Sequence, residues 1–184
     1  FIRCTNAKRL VFGEADFLPG LIVDKYEDFL VIQFNTAGVE RVREDLLEII
    51  DLEIKPRAII ERSDYEKRLQ EGFDFPKSAR ILFGKEIPDK VRVEENGLKL
   101  FVDILNGQKT GFYIDQRENR ELVSKFFEGL ELLDCFSYTG GFSIYALANR
   151  AKNVTLIDSS SQALALAKEN FLLNRLGLEN VSFI

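Results

Sequence analysis

The chain of 184 residues has no histidine, no tryptophan and no methionine, and it has only two cysteines. Without histidine it cannot build a histidine-based metal site, a histidine general base or a Ser-His-Asp triad, and we expect no metal site. The two cysteines, Cys4 and Cys135, are far apart and do not make a disulfide scaffold in a chain of this size. Because methionine is missing and the sequence opens abruptly on Phe1, we expect a fragment of a longer product.

Long apolar runs and an excess of positive charge are also missing. No window reaches the roughly 18 uninterrupted apolar residues of a membrane helix, and no apolar segment with a small-residue cleavage site opens the chain. We therefore expect a cytoplasmic protein without a membrane span. A net charge of -5 and a pI near 5.0 argue against a protein that coats nucleic acid non-specifically, although local basic patches stay open.

The sequence does have enough apolar residues for a packed core, since hydrophobic residues make up 46% of it and its mean hydropathy is -0.09. The first hundred residues mix strands with helices and predict a small α+β domain. The strongest local signal is Asn96-Gly97, because both turn residues of a tight hairpin tolerate positive φ. The predicted elements are a hairpin of strands 21–26 and 29–34, a helix 39–52 with Thr36 as its cap, a strand 57–61, a helical turn with a capping box from Ser63 to Glu66, and a hairpin of strands 90–95 and 98–105.

From Asn106 onward, short strands alternate with helices. Strands are predicted at 130–136, at 154–158 and from 181 to the end, and helices at 118–128, 140–150 and 162–176. This alternation implies parallel βαβ units. The predicted fold class is therefore α/β, with the α+β domain followed by the first part of a Rossmann-like domain from residue 106.

One string of the predicted Rossmann-like part carries most of the chemical information. At 132–143 a buried strand runs into a turn of small residues and then into a helix, with the sequence LLDCFSYTGGFS. In a parallel sheet, ligands sit beyond the carboxyl ends of the strands, and glycines there let the backbone approach the ligand. Asp158 ends the next strand, 24 residues beyond Asp134, where a carboxylate can accept both hydroxyls of a ribose. Together these features predict a nucleoside cofactor site.

The spacing of the glycines indicates which cofactor this is. The turn at Gly140 and Gly141 lacks the G-x-G-x-x-G spacing that cradles a pyrophosphate, and no P-loop pattern occurs. S-adenosylmethionine, which has an adenosine and an amino-acid tail but no phosphate, fits best. Asp134 could face its ammonium group, directly or through water.

Simpler structural roles compete with this interpretation at each position. They are an ordinary turn for Gly140 and Gly141, a helix cap for Asp158, ion pairs with Glu121 or Glu118 for Arg117 and Arg120, core positions for Phe112 and Phe136, and a buried, inert thiol for Cys135.

Two other functional classes stay open. A nucleotide (NAD)-dependent oxidoreductase shares the fold and the acidic end of the second strand, but it should show the missing glycine pattern. A non-catalytic RNA-binding module would need a basic or aromatic surface. The residues that could supply one are Arg57, Arg62, Lys67 and Arg68.

Four strings give the sequence a family resemblance from about Arg9 to its end. They are DFLPGLIVD at 16–24, GQKTGFYIDQRENR at 107–120, the loop CFSYTGGF at 135–142, and LIDSS at 156–160. The chain resembles the RlmI-like class I S-adenosylmethionine-dependent RNA methyltransferases, which make 5-methylcytosine in large-subunit ribosomal RNA. The second string is specific, because it is long and is not dictated by secondary structure.

The resemblance implies a domain order and a set of site residues. Residues 1–15 would be the tail of an RNA-binding PUA-like domain or its linker, residues 16–105 a small middle domain, and residues 106–184 the first part of the methyltransferase domain. The catalytic cysteine of the family is expected beyond Ile184, as is an acidic residue that contacts the adenine. The implied partner is ribosomal RNA, with a homodimer left open. The cofactor-binding residues would be Phe112, Asp115, Arg117, Asp134, Phe136, Ser137, Tyr138, Thr139, Gly140, Gly141, Asp158 and Ser159.

Overall fold

β-branched and aromatic residues dominate the early strands, and they build a five-stranded sheet. The computed structural model describes residues 5–73 and 77–184. The sheet has the order β1-β2-β3-β4-β5; only β3 and β4 pair in parallel, and the other neighbours are antiparallel. Its strands are β1 (Ala7–Phe12), β2 (Leu21–Tyr26), β3 (Phe29–Phe34), β4 (Ala58–Glu61) and β5 (Arg80–Gly84).

The hairpin of β2 and β3 and the strand β4 confirm the sequence prediction, whereas β1 and β5 were not predicted. The predicted helix 39–52 forms as two helices that meet at Val42, α1 (Ala37–Arg41) and α2 (Arg43–Ile54). A third short helix is α3 (Tyr65–Gln70). The core between this sheet and its helices contains Leu21, Val23, Leu30, Ile32, Phe34, Val39, Ile50 and Ile59.

Two predicted helix caps differ from what the structure shows. Thr36 is the residue that precedes α1, but its hydroxyl donates to the carbonyl of Pro19 at 2.9 Å instead of capping the helix. The capping box on Ser63 is wrong, because the Ser63 hydroxyl accepts from the Phe34 amide and donates to Glu61. Asp64 caps α3 instead, and its carboxylate accepts from two backbone amides.

Asn96 and Gly97 form the tight turn that their sequence predicts, with φ of 51° and 85°. They join β6 (Val91–Glu95) to β7 (Leu98–Val102), which is shorter than predicted. Further along the chain, three parallel strands form a sheet of order β10-β9-β8. The elements there are α4 (Arg117–Ser124), β8 (Glu131–Cys135), α5 (Gly141–Ala148), β9 (Asn153–Ile157), α6 (Ser161–Leu173) and β10 (Val181–Phe183).

These strand and helix alternations confirm the α/β, Rossmann-like fold class. α4 is shorter than predicted and ends at Ser124. In the part of the chain that the structure describes, no helix combines the length and the apolar character needed to cross a membrane.

By its contacts the chain divides into two units. The N-terminal unit comprises Asn6–Val91 and Val102–Phe112, and the C-terminal unit consists chiefly of Arg92–Phe101 and Tyr113–Ile184. The hairpin of β6 and β7 therefore groups mainly with the parallel sheet, whereas the sequence assigned it to the middle domain. The domain boundaries at 15 and 105 stay predictions, and residues 1–4 of the predicted tail lie outside the described residues.

Candidate functional site

The carboxyl ends of β8 and β9 lie side by side in the C-terminal unit. The two strands pair in parallel, with Cys135 opposite Ile157. The β8 loop (residues 136–140) and the β9 loop (residues 158–160) therefore leave the sheet at the same edge, where parallel sheets bind their ligands. The Ser137 amide donates to the Ile157 carbonyl at 3.1 Å, which fixes the start of the β8 loop against β9.

Asp158 ties the two loops together. Its Oδ2 accepts from the Tyr138 amide at 2.8 Å, and its Oδ1 accepts from the Ser160 amide at 2.9 Å. The cap of α6 is Ser160, whose hydroxyl accepts from the Ala163 amide. Each carboxylate oxygen has about two lone pairs, so Asp158 keeps acceptor capacity for a ligand while it holds both loops.

A second carboxylate, Asp134, lies near the end of β8. Its Oδ2 accepts from the hydroxyl of Ser143 in α5 at 2.7 Å. Burial raises the pKa of Asp134 above its usual value, the hydrogen bonds from Ser143 oppose this shift, and the charge of Asp158 adds to it. Two carboxylates close enough to affect each other make this edge of the sheet favourable for a cationic group.

The β8 loop has an unusual backbone and two buried hydroxyls without partners. Phe136, Tyr138 and Gly140 have positive φ, at 62°, 49° and 76°. The hydroxyls of Ser137 and Thr139 are buried and have no hydrogen-bond partner among the described residues. Such groups are rare in folded proteins, because burying an unsatisfied hydroxyl costs about 1–3 kcal/mol. They are the kind of group that a bound ligand would satisfy.

Gly140 is a glycine for two reasons that the structure makes visible. It precedes α5 with a left-handed backbone, and no side chain caps the helix there. A Cβ at this position would lie 3.0 Å from Leu156 and 3.1 Å from Ala167. Because Gly140 has no side chain, β9 and α6 can pack close to it. The same lack of a side chain leaves room for a ligand.

An aromatic contact joins the segment that precedes α4 to the same loop. The ring of Tyr113 packs edge-on against the ring of Tyr138, with centroids 5.8 Å apart at an interplanar angle of 74°. Asp115 is exposed in a short 3-10 turn, and Arg117 is the half-buried first residue of α4. Tyr113 was not among the predicted site residues, although it lies in the string that carries the resemblance.

The structure thus brings most of the predicted site residues to one edge of one sheet. They are Asp134, Phe136, Ser137, Tyr138, Thr139, Gly140, Gly141, Asp158 and the exposed Ser159. Phe112 is buried in the N-terminal unit, where its amide donates to the Tyr26 hydroxyl at 3.2 Å.

Three alternative structural roles turn out to be wrong. Phe136 is 92% exposed and does not belong to the core. Cys135 is an exposed free thiol, because it shares the solvent-facing side of β8 with Leu133, whereas Asp134 faces α5. Arg120 does not lie on a solvated helix face; it is buried and forms an ion pair with Glu95.

Comparison with known proteins identifies the family of this chain. The model of a family described as S-adenosylmethionine-dependent methyltransferase matches residues 45–184. The chain belongs to the S-adenosylmethionine-dependent methyltransferases. The candidate site lies within the matched residues, at the carboxyl edge of the parallel sheet, where such sheets bind their ligands.

Two curated relatives of this chain share one name. Ribosomal RNA large subunit methyltransferase I from Aeromonas salmonicida is 46% identical over 176 residues, which cover 96% of this chain and 44% of the relative. The protein of the same name from Aliivibrio fischeri is 45% identical over 177 residues, again 96% of this chain and 44% of the relative. The chain thus spans less than half the length of the curated relatives that it matches.

Solved structures agree with the family assignment. A SAM-dependent methyltransferase from Streptococcus mutans matches with a TM-score of 0.84 and 27% identity over 98% of this chain and 46% of that chain. A methyltransferase solved as a complex with SAH also matches with a TM-score of 0.84, at 26% identity over 98% of this chain and 45% of that chain. None of these comparisons supports the oxidoreductase or the non-catalytic RNA-binding module.

Proposed function

We propose that this methyltransferase methylates the 5-carbon of a cytosine in large-subunit ribosomal RNA, with S-adenosylmethionine as methyl donor. The observation that carries the cofactor part is Asp158, a carboxylate that joins the β8 and β9 loops and keeps free lone pairs. The name shared by relatives of 45–46% identity supports ribosomal RNA as the substrate. The modified base is inferred from the family resemblance of the sequence.

The residues present fit the cofactor in charge and in hydrogen bonding. In this proposal Asp158 accepts hydrogen bonds from the two ribose hydroxyls, and Asp134 faces the ammonium group of the amino-acid tail. The buried hydroxyls of Ser137 and Thr139, which have no partner among the described residues, gain one from the bound cofactor. The set proposed to contact the cofactor is completed by Asp115, Arg117, Phe136, Tyr138, Gly140, Gly141 and Ser159, all in the C-terminal unit.

The cofactor supplies an electrophilic methyl group, and the described residues bind and orient it. Methylation at the 5-carbon of cytosine also needs a nucleophile that adds to the ring, which is covalent catalysis by a cysteine thiolate. We assign this role to a cysteine beyond Ile184, and not to Cys135, which ends β8 beside the cofactor loop. The full proposal places the protein in the cytoplasm with ribosomal RNA as its partner, and a homodimer stays a prediction.

Calorimetry on the full-length protein tests the cofactor assignment. S-adenosylmethionine should bind and NAD should not. Asp158→Ala removes two charge-assisted hydrogen bonds of about 1.5 kcal/mol or more each, so the affinity for S-adenosylmethionine should fall about 100-fold. Asp51→Ala, on the exposed surface of α2, is the matched control and should bind normally. NAD binding without S-adenosylmethionine binding, or unchanged affinity in Asp158→Ala, would refute the assignment.

A methylation assay tests the substrate. The full-length protein is incubated with large-subunit ribosomal RNA and with methyl-labelled S-adenosylmethionine, and the RNA is then digested to nucleosides. The expected labelled product is 5-methylcytidine. Label in another nucleoside would contradict the cytosine assignment, and RNA that stays unlabelled would contradict the ribosomal substrate.

A further inference from the structure

A buried ion pair in the C-terminal unit lies outside the set of residues proposed to contact the cofactor. Arg120 and Glu95 are each 2% exposed. The guanidinium binds the carboxylate as a fork, with Nε to Oε1 at 2.7 Å and Nη2 to Oε2 at 2.8 Å. Its third nitrogen, Nη1, donates to the backbone carbonyl of Tyr113 at 3.0 Å. One side chain of α4 thereby fixes both the β6–β7 hairpin and the segment that precedes α4.

Stability alone is a poor explanation for such a pair. Removing two charges from water costs several kcal/mol per ion, and well-packed apolar residues often replace a buried pair without loss of stability. The pair does fix an orientation, because the guanidinium is planar and its two bonds align it with the carboxylate. Its third nitrogen binds the Tyr113 carbonyl, so the pair also positions the backbone of Tyr113.

Tyr113 in turn contacts the β8 loop. Its ring packs edge-on against the ring of Tyr138. Tyr138 has a left-handed backbone with φ of 49°, and its amide is the one bound by Asp158. A non-glycine residue in this conformation costs about 1 kcal/mol or more and persists only where its surroundings hold it. Two contacts that help to hold Tyr138 in this conformation are the Tyr113 ring against its side chain and the Asp158 carboxylate on its amide.

Glu95, which lies at the other end of this series of contacts, is also held in place. The Tyr145 hydroxyl donates to the Glu95 carbonyl at 3.2 Å, and the Asn96 side chain donates to the Tyr145 hydroxyl at 3.1 Å and to Glu121 at 3.2 Å. The hairpin turn is thus bound to α4 through Glu121 and to α5 through Tyr145. The bond to the Glu95 carbonyl and those of its neighbour Asn96 restrain the residue to which Arg120 is bound.

We propose that Arg120 and Glu95 are positioning residues that hold Tyr113 against Tyr138 and so keep the β8 loop in the conformation that binds the cofactor. The inference rests on the proposed function, because it concerns the same cofactor site. Neither residue touches the cofactor in this proposal. Their effect on binding passes through the Tyr113 ring.

The test measures S-adenosylmethionine affinity by calorimetry on the full-length protein and on three variants. Arg120→Lys keeps the charge but cannot bind Glu95 and the Tyr113 carbonyl as a fork, and its dissociation constant should rise about tenfold. Tyr113→Leu, which leaves the ion pair intact, should show a similar rise. The double variant should bind no more weakly than Tyr113→Leu alone, because the two changes interrupt one path.

Arg43→Lys is the matched control. Arg43 binds Glu61 with both terminal nitrogens, at 2.6 and 3.3 Å, in the N-terminal unit. This variant should lose stability in urea without any change in S-adenosylmethionine affinity. An equal loss of affinity in Arg43→Lys would show that general destabilisation weakens binding, and it would overturn the inference.

The remaining outcomes are equally decisive. Unchanged affinity in Arg120→Lys, or additive losses in the double variant, would overturn the positioning role while the proposed function stands. If Arg120→Lys does not fold, Glu95→Gln takes its place in the same cycle, since it weakens the fork and keeps the shape. A wild-type protein that does not bind S-adenosylmethionine would overturn the proposed function and this inference with it.

Discussion

Replacement of Gly140 by alanine should destabilise the protein through two separable effects. The residue has φ of 76° and ψ of 22°, a left-handed conformation that costs an L-amino acid about 1–2 kcal/mol. The added Cβ would also lie 3.0 Å from Leu156 and 3.1 Å from Ala167, closer than ordinary van der Waals contact. Overpacking of this kind costs about 1–3 kcal/mol. The free energy of unfolding should therefore fall by about 2–5 kcal/mol.

Gly129 provides the control that separates the two effects. It lies in the same unit with φ of 72°, and a Cβ there would meet nothing within 4 Å. Gly129→Ala should therefore show the backbone cost alone, about 1–2 kcal/mol. Both variants are measured by urea denaturation followed by circular dichroism, which gives the free energy of unfolding.

A double variant tests the packing effect directly. Ala167→Gly removes one of the atoms that the new methyl group would meet, so the loss in Gly140→Ala/Ala167→Gly should be smaller than the sum of the two single losses. Equal losses in Gly140→Ala and Gly129→Ala would refute the packing argument. A Gly140→Ala variant as stable as the wild type would refute both parts of the reasoning.

Three further predictions concern single side chains. Because the pKa of Asp134 is raised, the folded state binds the proton of this carboxyl more tightly than the unfolded chain does. The stability that this protonation contributes is complete below the ordinary pKa of 3.8, and it is lost as the pH rises through the raised pKa. The stability of the wild type relative to Asp134→Asn should therefore increase as the pH falls from about 7 to about 4 in urea titrations, and a constant difference would contradict the raised pKa. Tyr26→Phe removes a buried hydroxyl that bonds Thr110 at 2.8 Å, so we expect a loss of about 1–3 kcal/mol in the same assay, with no loss counting against the network. In the 184-residue chain with Cys4→Ser, Cys135 should react with a thiol reagent in the native state as fast as in urea, and protection in the native state would contradict its exposure.

Features that depend on neighbouring residues could be predicted from the sequence. Asn96-Gly97 forms its hairpin because both residues adopt positive φ within the turn itself. The alternation of strands and helices after residue 106 follows from hydrophobic periodicity, and it places Asp158 directly after β9. The family resemblance was also available from the sequence alone, since it rests on strings of residues.

Two strands could not be predicted in this way. The sequence of β1, AKRLVF, does not alternate regularly between charged and apolar residues, and β1 is a strand because its backbone pairs with β2. β5 is an edge strand with mostly exposed side chains, and it pairs with β4. In both cases a strand elsewhere in the chain supplies the hydrogen bonds, so the local hydrophobic periodicity does not predict the strand.

The sequence by itself determined the alternation of strands and helices after residue 106, the Asn96-Gly97 turn, the family resemblance and the candidate loop with Asp158, because these depend on local backbone preferences and on the identity of short strings. Only the tertiary structure decided that Arg120 pairs with Glu95, 25 residues away, and that Tyr113 packs on Tyr138. It also decided that Cys135 is exposed, since the coverage of each face of β8 depends on which segments pack against it. Contacts between distant segments follow from the packing of the whole unit, and no local pattern encodes them.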